Sequence, residues 1–137
     1  MEDLTLDDYF GPYTTHPDAK PGKWSVADLL LEKVNALLLE AEEDGVEIEL
    51  NPNTGNHISG SGNGGFRPMD CKVGHPLSAH KSARAVDIYD PYERLDDWLT
   101  DETLVKYKLY RESPFETENW VHLQDTAPRS GKRTFMP

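Results

Sequence analysis

Cysteine is almost absent from this chain: Cys71 is the only one in 137 residues. A single cysteine excludes an internal disulfide and any metal site built from a cysteine cluster. A lone cysteine can be a nucleophile, but it is more often a small buried residue. We therefore expect Cys71 to have a structural role.

Long hydrophobic runs are also missing. Hydrophobic residues make up 36% of the chain, the mean hydropathy is −0.69, and no apolar stretch approaches the length of a bilayer span. The first ten residues, MEDLTLDDYF, are acidic and lack the basic start and apolar stretch of a signal peptide. We expect no membrane insertion and no signal peptide, and the length suits a single domain over residues 1–137.

Basic residues are scarce relative to acids. The chain has 14 Lys and Arg against 25 Asp and Glu, a formal net charge of −11. Binding to nucleic acid depends on neutralising phosphates, so this balance argues against a nucleic-acid partner and against anionic membrane surfaces. The acidic surplus is expected to form a solvated surface.

The first half of the chain predicts an arm, a helix and a strand. Residues 1–24 are expected to form an extended arm, because residues 11–24 are rich in Pro and Gly. Ser25 then starts a helix, with Asp28 completing a capping box and Gly45 ending it. Alternation of apolar and acidic residues predicts a half-buried strand at Val46–Leu50. The Gly-rich stretch 51–65 is expected to be a loop around a short strand at His57–Ser59.

The second half predicts further strands and helices. We expect a strand at Ala85–Tyr89, a helix from Asp90 to Leu99, a helix at Thr103–Tyr110 and a strand at Trp120–Gln124, followed by a tail over residues 125–137. This order of elements predicts an α+β fold with packed helices and a mainly antiparallel sheet.

Two histidines and an aspartate are the candidate metal ligands: His80, Asp87 and His122. Catalytic zinc commonly keeps three protein ligands and one open position, and two imidazoles with a carboxylate suit that ion. If Ala85–Tyr89 and Trp120–Gln124 pair, Asp87 and His122 can project from adjacent strands, with His80 approaching from the preceding loop.

Three segments, SGNGGFRP, SAHKSARAVDI and WVHLQ, resemble the zinc D-alanyl-D-alanine carboxypeptidase family in that order. This family of lysostaphin, D-Ala-D-Ala and hedgehog-type zinc peptidases includes phage endolysins, and it shows S-G-x-R, S-x-H-x-x-G-x-A-x-D and W-x-H motifs. The matching positions, within about residues 57–124, are Gly65, Phe66, Arg67, Ser78, His80, Ala85, Asp87, Trp120 and His122.

The resemblance implies a hedgehog/D-Ala-D-Ala-peptidase-like fold, one Zn²⁺ per chain and the stem peptide of peptidoglycan as substrate. It implies a monomeric enzyme made in the cytoplasm that reaches the cell wall after phage-mediated release, or a virion-associated one. Arg67 is expected to hold the substrate or stabilise the developing oxyanion. Ser78 is expected either to orient His80 or a substrate group, or to form a capping or loop hydrogen bond. His75 is expected to be either a residue that supports or faces the substrate site or a plain loop histidine.

Two positions depart from the family pattern. Ala83 stands where the family has glycine, an exchange that matters if the backbone there needs a positive φ. Asn119 stands three residues before the final histidine, where the family has the acid that serves as general base. Alternation along a strand would put Glu118, Trp120 and His122 on one face, so Glu118 is the expected base.

Asn119 also keeps open two other interpretations. If Asn119 holds the base position, the chain is a catalytically impaired zinc-containing phage structural or wall-binding protein, because an amide cannot accept a proton from water. A zinc hydrolase of some other amide fits the same ligands. The sequence does not indicate whether the bond cut is D-Ala-D-Ala or L-Ala-D-Glu.

Overall fold

The computed structural model describes residues 2–137 and has an α+β fold. Its helices are α1 (Leu6–Phe10), α2 (Pro21–Glu43), α3 (Arg94–Trp98) and α4 (Asp101–Tyr107), with 3₁₀ turns at Gly11–Tyr13 and Ala79–Ser82. Its strands are β1 (Ala85–Tyr89), β2 (Tyr110–Glu112), β3 (Trp120–Gln124) and β4 (Thr134–Phe135). None of the helices in residues 2–137 has both the length and the apolar composition needed to span a bilayer.

Helix α2 supplies one wall of the core. Its buried face consists of Ala27, Leu30, Leu31, Val34, Leu37, Leu38 and Ala41, and each buried leucine contributes about 1.5–3 kcal/mol relative to exposure. The helix begins at Pro21, four residues before the predicted start, because proline in the first turn needs no N–H partner. Ser25 lies inside the helix, where its hydroxyl donates to the Pro21 carbonyl. Gly45, with φ +95°, follows the end of the helix as predicted.

The N-terminal residues pack against this wall and do not form the extended arm that we expected. Thr5 and Asp8 form a capping box at the start of α1. Tyr9 and Phe10 are buried, and the Phe10 ring stacks on Trp24 at 4.1 Å between centroids. Burial of these aromatic side chains outweighs the tendency of the Pro- and Gly-rich segment to stay extended.

The sheet has the order β1-β3-β2-β4 and is mixed. β1 and β2 both pair antiparallel with β3, whereas β4 pairs parallel with β2. The expected antiparallel character therefore holds for the three longer strands and fails at β4, which comes from the predicted tail. The parallel pairing lets residues 134–135 cover the outer edge of β2.

Two predicted strands are reduced or missing. Residues 46–50 form no strand; Val46 and Ile48 pack partly against the core, but no neighbouring strand pairs with them. The strand expected at His57–Ser59 is a single antiparallel bridge between Ile58 and Ile88. Beyond this bridge the Asp87 N–H donates to the Gly64 carbonyl, so the glycine-rich loop also contacts the free edge of β1.

The helices after β1 follow the prediction with shifted ends. α3 begins at Arg94, four residues after the predicted start at Asp90. The Asp90 carboxylate still caps the helix, because it accepts the N–H groups of Leu95 and Asp96 from outside it. α4 ends three residues before the predicted Tyr110, because Lys108 adopts the left-handed conformation at its C-terminus. Tyr110 thereby becomes the first residue of β2.

Candidate metal centre

The register of the sheet places Asp87 opposite His122. Asp87 is the middle residue of β1 and pairs with His122, the middle residue of β3. On the other side of β3, the Arg111–Leu123 pair puts the next residue of β2, Glu112, beside His122. Neighbouring residues in one row of a sheet project from the same face, so these three side chains lie side by side.

His80 reaches the same place from the 3₁₀ turn that precedes β1. The Ser78 hydroxyl oxygen accepts the His80 backbone N–H at 3.3 Å and caps this turn. Ala83, with φ +62°, ends the turn in the left-handed conformation. The backbone therefore does need a positive φ at the position where the family has glycine, and alanine adopts it at a cost of about 1 kcal/mol.

The metal centre, defined here as His80, Asp87 and His122, is compact and buried. The Asp87 Oδ1 atom lies 3.2 Å from His80 Nε2 and 2.9 Å from His122 Nδ1. The three residues are between 2% and 8% exposed, and their ligand atoms all lie within 4.8 Å of one another. The three residues could therefore hold a metal ion.

The outer nitrogens of both imidazoles are hydrogen-bonded to protein oxygens. His80 Nδ1 lies 2.7 Å from the Gly65 carbonyl, and His122 Nε2 lies 2.7 Å from Gln124 Oε1. The Gln124 amide nitrogen donates to the Thr126 carbonyl, which fixes the orientation of its oxygen toward His122. Such bonds hold the outer N–H and leave the inner nitrogen for a metal, so the donor set fits zinc.

Glycine at position 65 makes the contact to His80 possible. A Cβ there would collide with the Tyr9 carbonyl oxygen. Without that side chain the backbone passes close to α1 and presents the Gly65 carbonyl to the imidazole of His80. The glycine-rich run thus has a packing role next to the metal centre.

Charges within the metal centre stabilise each other. Burial alone would raise the pKa of Asp87, but the charges and hydrogen bonds of His80 and His122 outweigh it and hold that pKa well below its usual range. Burial alone would lower the pKa of His122, but hydrogen bonding to Asp87 outweighs it and raises that pKa. Asp87 and His122 therefore each favour the charged form of the other.

Arg67 lies on the outer side of Asp87. Its guanidinium is 3.5 Å from Asp87 Oδ2, and its Nε donates to the Asn63 carbonyl at 2.7 Å. Together with Asp87 and Trp120 it lines a cleft of about 190 Å³. The structure thus brings Arg67 to the edge of a cleft, where it contacts the Asp87 carboxylate of the metal centre.

The remaining predicted site residues lie further out. Ser78 contacts the backbone of His80, as described above. His75 is exposed, and its Nδ1 accepts the Leu77 N–H at 3.0 Å, an arrangement within its own loop. Glu118 is also exposed, in a turn before β3.

The reason for expecting Glu118 as the base, that it shares a strand face with His122, is wrong. The strand begins at Trp120, and Asn119 has φ +73°, so the alternation of side chains does not extend back to Glu118. The Asn119 carbonyl accepts the Asp90 N–H, which holds this turn against the end of β1.

Glu112 is the residue that sequence reasoning missed. Its Oε2 lies 4.0 Å from His122 Nδ1, and its side chain is 21% exposed. Burial raises the pKa of Glu112 and outweighs the opposing charge of His122. Sequence patterns end the preceding helix at Tyr110 and assign residues 111–112 to no element, so they do not predict β2.

A second group of possible ligands, His16, Asp18 and Asp70, lies near the surface. His16 Nδ1 accepts the Asp18 backbone N–H at 3.0 Å, so the proton of a neutral ring is on Nε2, which faces Asp70. The Asp70 side chain is 77% exposed. This group therefore presents no free imidazole nitrogen toward its carboxylates and differs from the metal centre.

Comparison with known protein families, curated proteins and solved structures gave no match to this chain. The resemblance to the zinc D-alanyl-D-alanine carboxypeptidase family therefore rests on the three sequence motifs. In the folded chain the first of them contributes Gly65 and Arg67, the second His80 and Asp87, and the third His122.

Proposed function

We propose that the protein is a zinc-dependent peptidase that hydrolyses peptide bonds in the stem peptides of peptidoglycan. The observation that carries the proposal is the arrangement of the two imidazoles. Each has its outer nitrogen bonded to a protein oxygen, so that His80 Nε2 and His122 Nδ1 both face Asp87 Oδ1. This is the orientation that protein zinc sites use for their histidine ligands.

His80, Asp87 and His122 would hold the zinc ion. Bound by three protein ligands, zinc lowers the pKa of a coordinated water and polarises a carbonyl group. The choice of a catalytic over a structural site follows from the number of ligands, since structural zinc sites are closed by four. Cys71, the one cysteine, bonds weakly to Asn63 and is not part of the metal centre.

Glu112 would serve as the general base. It is the second carboxylate beside the metal centre, 4.0 Å from His122 Nδ1 and on the side of His122 opposite Asp87. From there its carboxylate can accept the proton of the attacking water and return it to the leaving amine. Glu118 remains a formal alternative from the motif spacing, but its exposed position in the turn favours Glu112.

Arg67 would act at the cleft edge. Its contact with Asp87 Oδ2 leaves Oδ1 facing the two imidazoles, so Arg67 positions a ligand. Its place in the cleft wall also lets it bind a substrate carbonyl or carboxylate. The Ser78 hydroxyl supports His80 through the backbone.

The identity of the substrate follows from the motif resemblance and is tested on purified peptidoglycan. We expect the zinc-loaded protein to release peptide fragments that mass spectrometry identifies. The same preparation after treatment with a chelator, and the His122→Ala variant, should release none. Peptidoglycan left intact by a folded protein with bound zinc would contradict the proposal.

One observation favours a second function, that of a zinc-containing phage structural or wall-binding protein without activity. Asn119 occupies the position of the family's acid, and its φ of +73° holds it in a turn. Such a protein would sediment with peptidoglycan and leave every peptide bond intact. Sedimentation and fragment analysis on one sample therefore separate the two functions.

A further inference from the structure

Two hollows flank the metal centre along β3. Trp120 and Gln124 lie two residues before and after His122, so all three side chains share one face of the strand. Trp120 lines the cleft of about 190 Å³ that also contains Arg67 and Asp87. Gln124 lines a larger groove of about 450 Å³. The metal centre therefore lies between the two hollows.

The larger hollow, the Gln124 groove, combines apolar side chains with a single charge. Its walls include Leu77 and Met136, which are 87% and 63% exposed, and Phe135, whose ring is 6.2 Å from that of His122. Arg129 is the one charged side chain among the described residues that line it. Such a groove suits small apolar side chains next to a carboxylate.

Arg129 supplies the positive charge of the Gln124 groove. It is exposed and, like Lys72, Lys132 and other basic residues, its side chain forms no ion pair within residues 2–137. Arg67, by contrast, already contacts Asp87 at 3.5 Å. A peptide carboxylate entering the groove would therefore meet an uncompensated guanidinium at Arg129, and such a pair can form two parallel hydrogen bonds.

We propose that the two hollows form one trough that holds a peptide across the metal centre, with a carboxylate of the peptide bound by Arg129. The peptide continues on both sides of the metal centre, which makes the protein an endopeptidase. In a carboxypeptidase the peptide would end beside the metal ligands, with its terminal carboxylate at Arg67 in the smaller cleft, and would not extend past the metal centre on that side. The bond-cutting part of this inference rests on the proposed function; the binding part does not.

The test measures binding of synthetic stem peptides to the zinc-loaded protein by calorimetry. The probe is the N-acetylated pentapeptide L-alanyl-D-γ-glutamyl-L-lysyl-D-alanyl-D-alanine, with its C-terminus free or amidated. We expect the two forms to bind within about twofold of each other. Arg129→Gln should weaken both by about fivefold to tenfold, the loss expected for one charge-assisted contact.

Two controls isolate the carboxylate on Arg129. Replacing the glutamyl residue of the amidated peptide by isoglutamine should remove the effect of Arg129→Gln, since that peptide has no carboxylate left. Lys108→Gln removes an exposed charge on α4, outside the trough, and should leave every affinity unchanged.

Opposite results overturn the inference. Amidation that weakens binding more than tenfold would make the terminal carboxylate the anchor, and equal affinities of wild type and Arg129→Gln would remove Arg129 from the site. No binding of any peptide would overturn the trough as well. Binding that depends on Arg129 without any hydrolysis would support the trough and contradict the proposed function. Hydrolysis that does not depend on Arg129 would support the proposed function and contradict the trough.

Discussion

At the scale of single residues, the three candidate metal ligands are oriented by groups outside the ligand set. Gln124 holds the outer nitrogen of His122 and is itself held by the Thr126 carbonyl. The Gly65 carbonyl does the same for His80. The three ligands could be predicted from residue types and motif spacing. Their supporting contacts could not, because these depend on backbone positions that only the fold fixes.

Gln124→Ala should weaken zinc binding by about 10-fold to 100-fold, the usual loss for a group that orients a histidine ligand. The alanine leaves His122 Nε2 without its acceptor. Gln124→Glu keeps an acceptor for His122 Nε2 but loses the donor to the Thr126 carbonyl, so its affinity should fall between those of the alanine variant and wild type. Competition with a chromophoric chelator measures all three constants, and equal affinity of the alanine variant and wild type would show that the contact does not orient His122.

Asp96 is a buried carboxyl group outside the metal centre. Its Oδ2 has no hydrogen-bond partner, and Arg111 lies 3.5 Å from Oδ1. Burial, together with the charge of Asp90, raises the pKa of Asp96 to about 7. The folded state therefore holds a proton there that the unfolded chain releases at pH of about 4.

This proton gives a pH dependence with a definite sign. Because the folded pKa lies above the unfolded one, the contribution of Asp96 to stability is complete below pH 4 and is lost as the pH rises through 7. Asp96→Asn should gain stability relative to wild type between pH 5 and pH 8, as urea unfolding measures. Asp97→Asn, an exposed change on the same helix, is the control. A difference in unfolding free energy between Asp96→Asn and wild type that stays constant with pH would exclude the protonated carboxyl.

At the scale of elements, the central strands were predictable and the edge strands were not. β1 and β3 begin and end where the sequence predicted. Each has five residues, which are β-branched, aromatic or part of the motif segments. β2 has three residues and β4 has two, and both depend on pairing with distant segments. Glu112 was missed for that reason, and the strand predicted at residues 46–50 had the right alternation but no neighbour to pair with.

The C-terminus of α4 carries a strained residue. Lys108 is exposed and has φ +58°, a conformation that glycine adopts without cost. Lys108→Gly should therefore raise the free energy of unfolding by about 1 kcal/mol. Glu102→Gly, in the first turn of the same helix, should lower it by up to about 1 kcal/mol. Thermal or urea unfolding measures the stability of the two variants. Equal losses of stability in Lys108→Gly and Glu102→Gly would contradict this account.

At the scale of the whole molecule, the fold assembles a site from three distant parts of the chain. The loop before β1, β1 itself and β3 contribute His80, Asp87 and His122, while β2 adds Glu112. Sequence patterns could predict the convergence of the three ligands, because strand register is set by alternation along β1 and β3.

The most direct test of the central claim measures bound zinc and peptide-bond cleavage on the same preparations of wild type, Glu112→Gln and Glu118→Gln. Metal analysis should find one zinc per chain in all three, since neither glutamate is a ligand in this account. New amino groups should appear in peptidoglycan treated with wild type and Glu118→Gln, and fall at least about 100-fold with Glu112→Gln, whose amide cannot accept a proton. Loss of zinc from Glu112→Gln would make Glu112 a ligand, and full activity of Glu112→Gln or an inert, zinc-loaded wild type would contradict the account.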